Sequence, residues 1–220
     1  MLTAIALGFA LGLRHAADPD HVAAIAALVS RHAPAGSAYR GARTAAWIGA
    51  AWGLGHSLVI LAVGGVFVAL HIAVVPAWAL AAEAAVAAIL VGLGVSNLRG
   101  LRSGAAHERA HARSAHGCGA VTLRSLGVGM AHGLAGSAAV ALLALAAMPG
   151  SGAALAYLLV FGLGTIGGMV AMSLGLGLPA ALASGRPGLA RWVLGGSGVV
   201  SIAVGLLLLL EVGAALHLSV

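Results

Sequence analysis

Six long apolar segments constrain the fold of this chain more than any other feature of its sequence. A helix needs roughly 20 apolar residues to cross the hydrocarbon core of a bilayer, and every segment reaches that length. Hydrophobic residues make up 61% of the 220 positions and charged residues only 7%, a balance that is not typical of a soluble domain. The sequence therefore predicts an all-α, polytopic membrane protein with six transmembrane helices, at about residues 3–29, 46–70, 77–98, 125–148, 154–178 and 192–212.

The loops between these segments differ in positive charge. Ten of the eleven arginines follow the first, third or fifth segment, and there is no lysine. Because basic residues concentrate in the cytoplasmic loops of membrane proteins, these three loops are predicted to be cytoplasmic and both termini to lie outside a cytoplasmic membrane. This reading accounts for the formal net charge of +6 better than nucleic-acid binding does, so no nucleic-acid partner is expected.

The loop after the third segment, residues 99–124, is rich in arginine and histidine. His107 and His111 are one helical turn apart, which is a usable spacing for metal ligands, and His116 and Cys118 follow them. A solvated basic linker explains the same residues equally well. If the loop binds metal, it is expected to receive imported ions or to sense an excess of them in the cytoplasm.

Short motifs recur in the same order in the two halves of the chain. Residues 12–15 (Gly-Leu-Arg-His) match residues 129–132 (Gly-Met-Ala-His), and residues 53–56 (Gly-Leu-Gly-His) match residues 162–165 (Gly-Leu-Gly-Thr). With three segments in each half, the second half must cross the membrane in the opposite orientation, which is the inverted-repeat plan of many secondary transporters. The predicted organisation is a first three-helix repeat at 1–98, the cytoplasmic loop at 99–124 and a second three-helix repeat at 125–220.

The first segment contains a polar cluster near its middle. Residues 15–21 read His-Ala-Ala-Asp-Pro-Asp-His between two apolar runs. An ionisable side chain at that depth costs from about 2.5 to above 10 kcal/mol, depending on the scale, and by default marks an ion or substrate pathway. The cluster therefore points to a site inside the membrane.

Helix geometry and Pro19 shape this cluster. At about 100° per residue, His15, Asp18 and His21 share one helix face and Asp20 points away. Pro19 has no N–H to give to the carbonyl of His15, so the helix is predicted to kink or break there. A break would let Asp20 turn toward the same cavity and would leave a backbone carbonyl free as a further oxygen ligand.

The donor types in the cluster indicate a divalent cation. Imidazole suits nickel, cobalt, zinc and copper(II), carboxylate suits harder ions, and the absence of thiolate argues against copper(I). A mixed nitrogen and oxygen set therefore favours nickel or cobalt. Arg14 is expected to balance Asp18 or Asp20, because beside the ion it would repel it.

Further polar residues at similar depth are candidates for the same site. His56 lies in the second segment and His132 in the fourth, while Thr165 is the repeat counterpart of His56. For each histidine the alternative is a hydrogen bond between helices, and this alternative is stronger for His132. Glu83 lies nearer a segment end and is a candidate entry group. The predicted metal residues are His15, Asp18, Asp20, His21, His56 and His132.

These motifs resemble those of a known family. The run from Arg14 to His21 is similar to the His-x4-Asp-His signature of the nickel/cobalt transporter family, and residues 54–57 (Leu-Gly-His-Ser) resemble its second histidine motif. Six spans and the run at 129–137 look more like the short urease-associated nickel permeases than like the eight-span members. The resemblance implies that His15, Asp20, His21 and His56 handle the metal. The chain departs from the pattern at Pro19, where the family more often has alanine, and lacks an acidic motif in its second half.

Sequence and resemblance together predict a permease that moves Ni²⁺, and also Co²⁺, across the cytoplasmic membrane, most simply by uptake. No P-loop motif is present, so the membrane potential or a proton would drive transport. No cofactor beyond the transported ion is expected, and cytoplasmic nickel chaperones or urease and hydrogenase maturation proteins are the expected partners. Efflux of nickel or cobalt is the main alternative. An intramembrane metalloenzyme is less favoured, because no His-Glu-x-x-His motif is present.

Overall fold

Every regular element that the computed structural model describes is helical. The structure describes residues 2–32, 37–70, 76–102, 117–148 and 150–218. The helices are α1 (Leu2–His15), α2 (Pro19–His32), α3 (Ala38–Val59), α4 (Gly65–Leu70), α5 (Pro76–Arg102), α6 (Gly117–Ala147), α7 (Ser151–Ala183) and α8 (Pro187–Leu218), with a π-helical turn at Ile60–Gly64 between α3 and α4.

Among the residues that the structure describes, four helical stretches have the length and hydropathy of membrane spans. They are Ala38–Leu70, Ala77–Leu101, Ser151–Ala183 and Pro187–His217. The predicted all-α, multi-pass membrane fold is confirmed at this level. Helices α1 and α2 have 14 residues each, so the predicted first segment consists of two helices that are each shorter than a span.

The helices also extend beyond the predicted segments. Helix α3 begins well before residue 46, because Ser37 caps its N-terminus. The Oγ of Ser37 accepts a hydrogen bond from the backbone N–H of Arg40 at 3.3 Å. Helix α5 continues to Arg102 and α6 begins at Gly117. Both ends of the predicted 99–124 loop are therefore helical, while His107, His111 and His116 lie outside the described residues.

Helix α3 occupies the centre of the bundle. It packs between α6 and α7, while α1 packs on α7 and α5 packs on α8. Helix α2 contacts α8, α7 and α5. The larger buried cluster includes Ile25, Leu28, Trp52 and Met169, so the apolar core adjoins the polar segment at residues 15–21.

Glycine allows several of these helices to approach closely. A Cβ at Gly12 of α1 would overlap the backbone of Phe161 in α7, and one at Gly129 of α6 would overlap the backbone of Trp52 in α3. Small residues let helix backbones come together in membrane proteins, where packing contributes strongly to helix association. The helices that carry the polar cluster are thus held at short range.

Candidate metal centre

The break predicted at Pro19 is present. Helix α1 ends at His15 and α2 begins at Pro19, where the missing N–H is tolerated and the fixed φ suits a first helical residue. Between them, Ala17 N–H donates to the carbonyl of Arg14 at 2.9 Å. The break puts His15 at the end of one helix and His21 in the first turn of the next.

Two details of the sequence prediction for this turn are wrong. The carbonyl of His15 is not left free, since it accepts the N–H of Asp18 at 3.1 Å as the turn tightens. Arg14 does not balance a carboxylate: among the described residues no ion pair joins it to Asp18 or Asp20, and its side chain is exposed. The reason is that both carboxylates engage histidines instead.

Three imidazoles converge beside this break. His15 and His21 are joined by His56 from α3, and one ligand nitrogen from each lies within 4.8 Å of the other two. Nε2 of His15 is 3.2 Å from Nε2 of His56. Two nitrogens at about 2.0–2.1 Å from one ion and at a tetrahedral angle lie about 3.3 Å apart, so this pair has the spacing of two ligands of one metal.

The two carboxylates orient the imidazoles from behind. Asp18 Oδ2 is 2.8 Å from Nδ1 of His15, and Asp20 Oδ1 is 2.9 Å from Nδ1 of His21. Because an ionised carboxylate only accepts hydrogen bonds, we assign the hydrogen of each ring to Nδ1. Each Nε2 then offers a lone pair, in the carboxylate–histidine arrangement found at metal sites.

His132 lies next to the three imidazoles on α6. Its ring centroid is 5.3 Å from that of His21, and it is buried. Nδ1 donates to the carbonyl of Val128 at 2.9 Å, and Nε2 is 4.0 Å from Asp20 Oδ2. The structure thus brings all six predicted metal residues together, with His132 next to His21 and Asp20.

Buried nitrogens without partners mark the centre. Among the described residues, His21 Nε2, His56 Nδ1 and His132 Nε2 are buried and make no hydrogen bond. Buried polar atoms are normally paired, and each exception requires an explanation such as an ion that binds there. Cations bound in this cluster would supply the missing partners to Nε2 of His21 and Nε2 of His132.

Two aromatic rings that the sequence analysis did not single out line the centre. Trp52 stacks on His21 with centroids 5.8 Å apart and planes 6° apart, and Phe161 lies 5.4 Å from His15. Trp52 precedes His56 by one helical turn on α3, a spacing that was visible in the sequence. Thr165 does not join the cluster, because its Oγ1 donates to the carbonyl of Phe161 at 2.9 Å.

Fold and site together define a class: a multi-pass, all-α membrane protein with a histidine cluster at the break between α1 and α2. The chain is 32% identical, over 190 residues, to the urease accessory protein UreH of Bacillus sp. (strain TB-90), a match that covers 84% of this chain and 80% of the relative. This protein therefore belongs to the UreH family, and the predicted resemblance to the short urease-associated members of the nickel/cobalt transporter family is confirmed. No family model and no solved structure matches the chain.

Proposed function

We propose that this protein is a secondary transporter that carries Ni²⁺, and Co²⁺ as a second substrate, through the centre formed by His15, His21 and His56. The observation that carries the proposal is the convergence of three ligand nitrogens within 4.8 Å among apolar helices. Imidazole suits nickel and cobalt among the divalent ions. The UreH relative is named as an accessory protein of urease, and the motif resemblance to urease-associated permeases favours nickel.

The carboxylates give this centre its charge balance. Three neutral imidazoles bring no negative charge to a divalent ion, but Asp18 and Asp20 are hydrogen-bonded to the rings of His15 and His21. Such partners fix the ring orientation and raise the basicity of the ligand nitrogen. At the three-imidazole centre both aspartates act through the histidines.

The proposal includes two inverted repeats, residues 1–98 and 125–220, joined by the loop at 99–124. The motif match pairs Gly12 with Gly129 and, when extended by one residue, Phe161 with Trp52. Gly12 meets the backbone carbonyl of Phe161, and Gly129 meets that of Trp52. One contact is therefore the counterpart of the other when the halves are exchanged.

A second pair of contacts obeys the same exchange. Gly164 of α7 meets the carbonyl of Phe9 in α1, and its counterpart Gly55 of α3 meets the carbonyl of Leu126 in α6. The aromatic contacts follow too, since His15 lies beside Phe161 while His132 lies beside Trp52. These equivalences support a site between two repeats that is exposed alternately to either side.

Uptake across the cytoplasmic membrane is the proposed direction. Moving a divalent ion inward across 100 mV is favourable by about 4.6 kcal/mol, at roughly 2.3 kcal/mol per charge. The membrane potential can therefore drive accumulation without ATP. Urease maturation proteins or nickel chaperones are the proposed recipients on the cytoplasmic side.

Accumulation of radioactive nickel tests this function. Cells that express the protein are expected to accumulate the isotope faster at limiting nickel than cells without it, with cobalt competing more strongly than manganese. The comparison is repeated in a strain from which the gene is deleted. Lower accumulation with the protein present, together with loss of metal tolerance on deletion, would reverse the direction and identify an exporter.

The proposed topology has a direct test. Arg31 of α2 donates through Nη1 to the carbonyl of Ser96 in α5 at 2.8 Å, which supports placing these two helix ends on one side. In a Cys118→Ser background, Ser151→Cys is expected to react with a membrane-impermeant thiol reagent added outside, whereas Ala38→Cys reacts only after the membrane is opened. The reverse labelling pattern would overturn the orientation.

Pro19→Ala tests the helix break. Alanine restores an N–H that can bond to the carbonyl of His15 and draw α1 and α2 into one helix, which turns His15 and His21 relative to each other. Because no ligand is removed, we expect only about a three- to tenfold rise in the nickel concentration for half-maximal uptake, below the 10–100-fold that is typical when a residue supporting a metal ligand is lost. Unchanged uptake would show that the break is not needed for binding.

A further inference from the structure

His132 is the member of the cluster that the three-imidazole centre does not use. Its side chain is buried, and its Nδ1 donates to the carbonyl of Val128 at 2.9 Å. Because a carbonyl only accepts, Nδ1 carries the ring hydrogen and Nε2 presents a lone pair. That Nε2 has no hydrogen-bond partner among the described residues.

The lone pair of His132 faces another acceptor. Asp20 gives one oxygen, Oδ1, to Nδ1 of His21 at 2.9 Å, while its other oxygen, Oδ2, is 4.0 Å from Nε2 of His132. This separation is too long for a direct hydrogen bond. A carboxylate oxygen and an imidazole lone pair at this separation repel each other unless something positive lies between them.

We propose that Asp20 Oδ2 and His132 Nε2 form a second position for the transported divalent cation, next to the three-imidazole centre. The proposal rests on the transport function proposed above. Metal–ligand distances of about 2.0–2.2 Å for nitrogen and oxygen let one ion lie between the two atoms at a wide angle. Asp20 remains 22% exposed, so water can complete the coordination.

The two positions differ in chemistry in a way that suits transport. The first offers three neutral nitrogens, whereas the second offers one nitrogen and a charged oxygen. His21 and Asp20 connect them, because Asp20 holds His21 through one oxygen and faces the second position with the other. Conduction needs sites that bind an ion yet release it to a neighbouring site. The second position would let the ion move a short distance from the three-imidazole centre to a neighbouring site.

Equilibrium binding of Co²⁺ to the purified protein in detergent separates the two positions. In the variant His15→Ala/His56→Ala the first position keeps only His21, and we expect one Co²⁺ to bind weakly. Adding His132→Gln, which keeps the side-chain volume, is expected to lower that residual affinity by about tenfold or more. Ser125→Ala is the matched control, because Ser125 is a buried, unpartnered side chain on the same helix. It should leave the residual affinity unchanged.

The parent chain gives a second readout. His132→Gln alone should leave the affinity for the first Co²⁺ within about threefold of the parent. It should lower the maximal nickel flux by about tenfold, which is the lower end of the 10–100-fold loss seen when a residue supporting a metal site is changed. Residual binding that is indifferent to His132, or a large loss of the tight binding in the single variant, would overturn the second position. Either result leaves the transport function standing, since that depends on flux and on His15, His21 and His56.

Discussion

His21→Ala is expected to abolish nickel uptake at limiting metal, with the apparent affinity falling by more than about 100-fold. The substitution removes one of three mutually adjacent imidazoles, whose ring centroid is 4.8 Å from that of His15 and 5.1 Å from that of His56. It also leaves Asp20 without its hydrogen-bond donor. The loss should exceed the 10–100-fold that is typical when a residue supporting a metal ligand is changed.

Three further variants should lower the apparent nickel affinity to different extents. His15→Ala and His56→Ala should resemble His21→Ala, because each removes a nitrogen of the same set. Asp20→Asn keeps all three ligands but weakens the support of His21, so its loss should fall within about 10–100-fold.

The histidine control is His32→Ala at the end of α2, whose ring bonds to the carbonyl of Leu28 at 2.7 Å. Uptake by this variant should match the parent. If His15→Ala and His21→Ala both transport nickel like the parent while inserting normally, the three-imidazole centre is structural and the transporter proposal fails.

Gly133→Ala is expected to weaken both the packing of α6 on α3 and the binding of nickel. A Cβ at this position would overlap the carbonyl oxygen of His56 and lie 3.0 Å from its Cα. Backbone on the facing helix cannot rotate away, so α3 and α6 must separate. Overpacking typically costs about 1–3 kcal/mol and occasionally more, and here the displaced residue is itself a metal ligand.

Gly127→Ala on the same helix provides the matched control. A Cβ there meets nothing within 4 Å, and alanine is favoured over glycine in a helix by up to about 1 kcal/mol. The temperature of thermal unfolding in detergent and the affinity for nickel should therefore both fall for Gly133→Ala. For Gly127→Ala both should stay level or rise. Equal behaviour of the two variants would contradict the close packing of α6 against His56.

Several features were predictable because they depend on neighbouring residues alone. The break between α1 and α2 follows from the missing N–H of Pro19, and the membrane class follows from long apolar segments. The exact helix ends were less predictable, since loop residues such as those before 46 and after 98 are polar yet continue the helices. Arg14 was misjudged for a related reason: its choice of partner depends on which groups the carboxylates already engage.

The sequence by itself determined that this protein is an all-α membrane protein, that its first segment breaks at Pro19, and which residues are able to bind a metal. Only the tertiary structure decided how those residues divide their roles. His15 and His56 are 41 positions apart, and Asp20 and His132 lie on different helices, so their distances depend on how α1, α2, α3 and α6 pack. Local periodicity determines which residues share one face of a helix. Glycine contacts between helices determine which of those faces pack together. That packing brings His56 to His15 and His21 and places Nε2 of His132 4.0 Å from Oδ2 of Asp20.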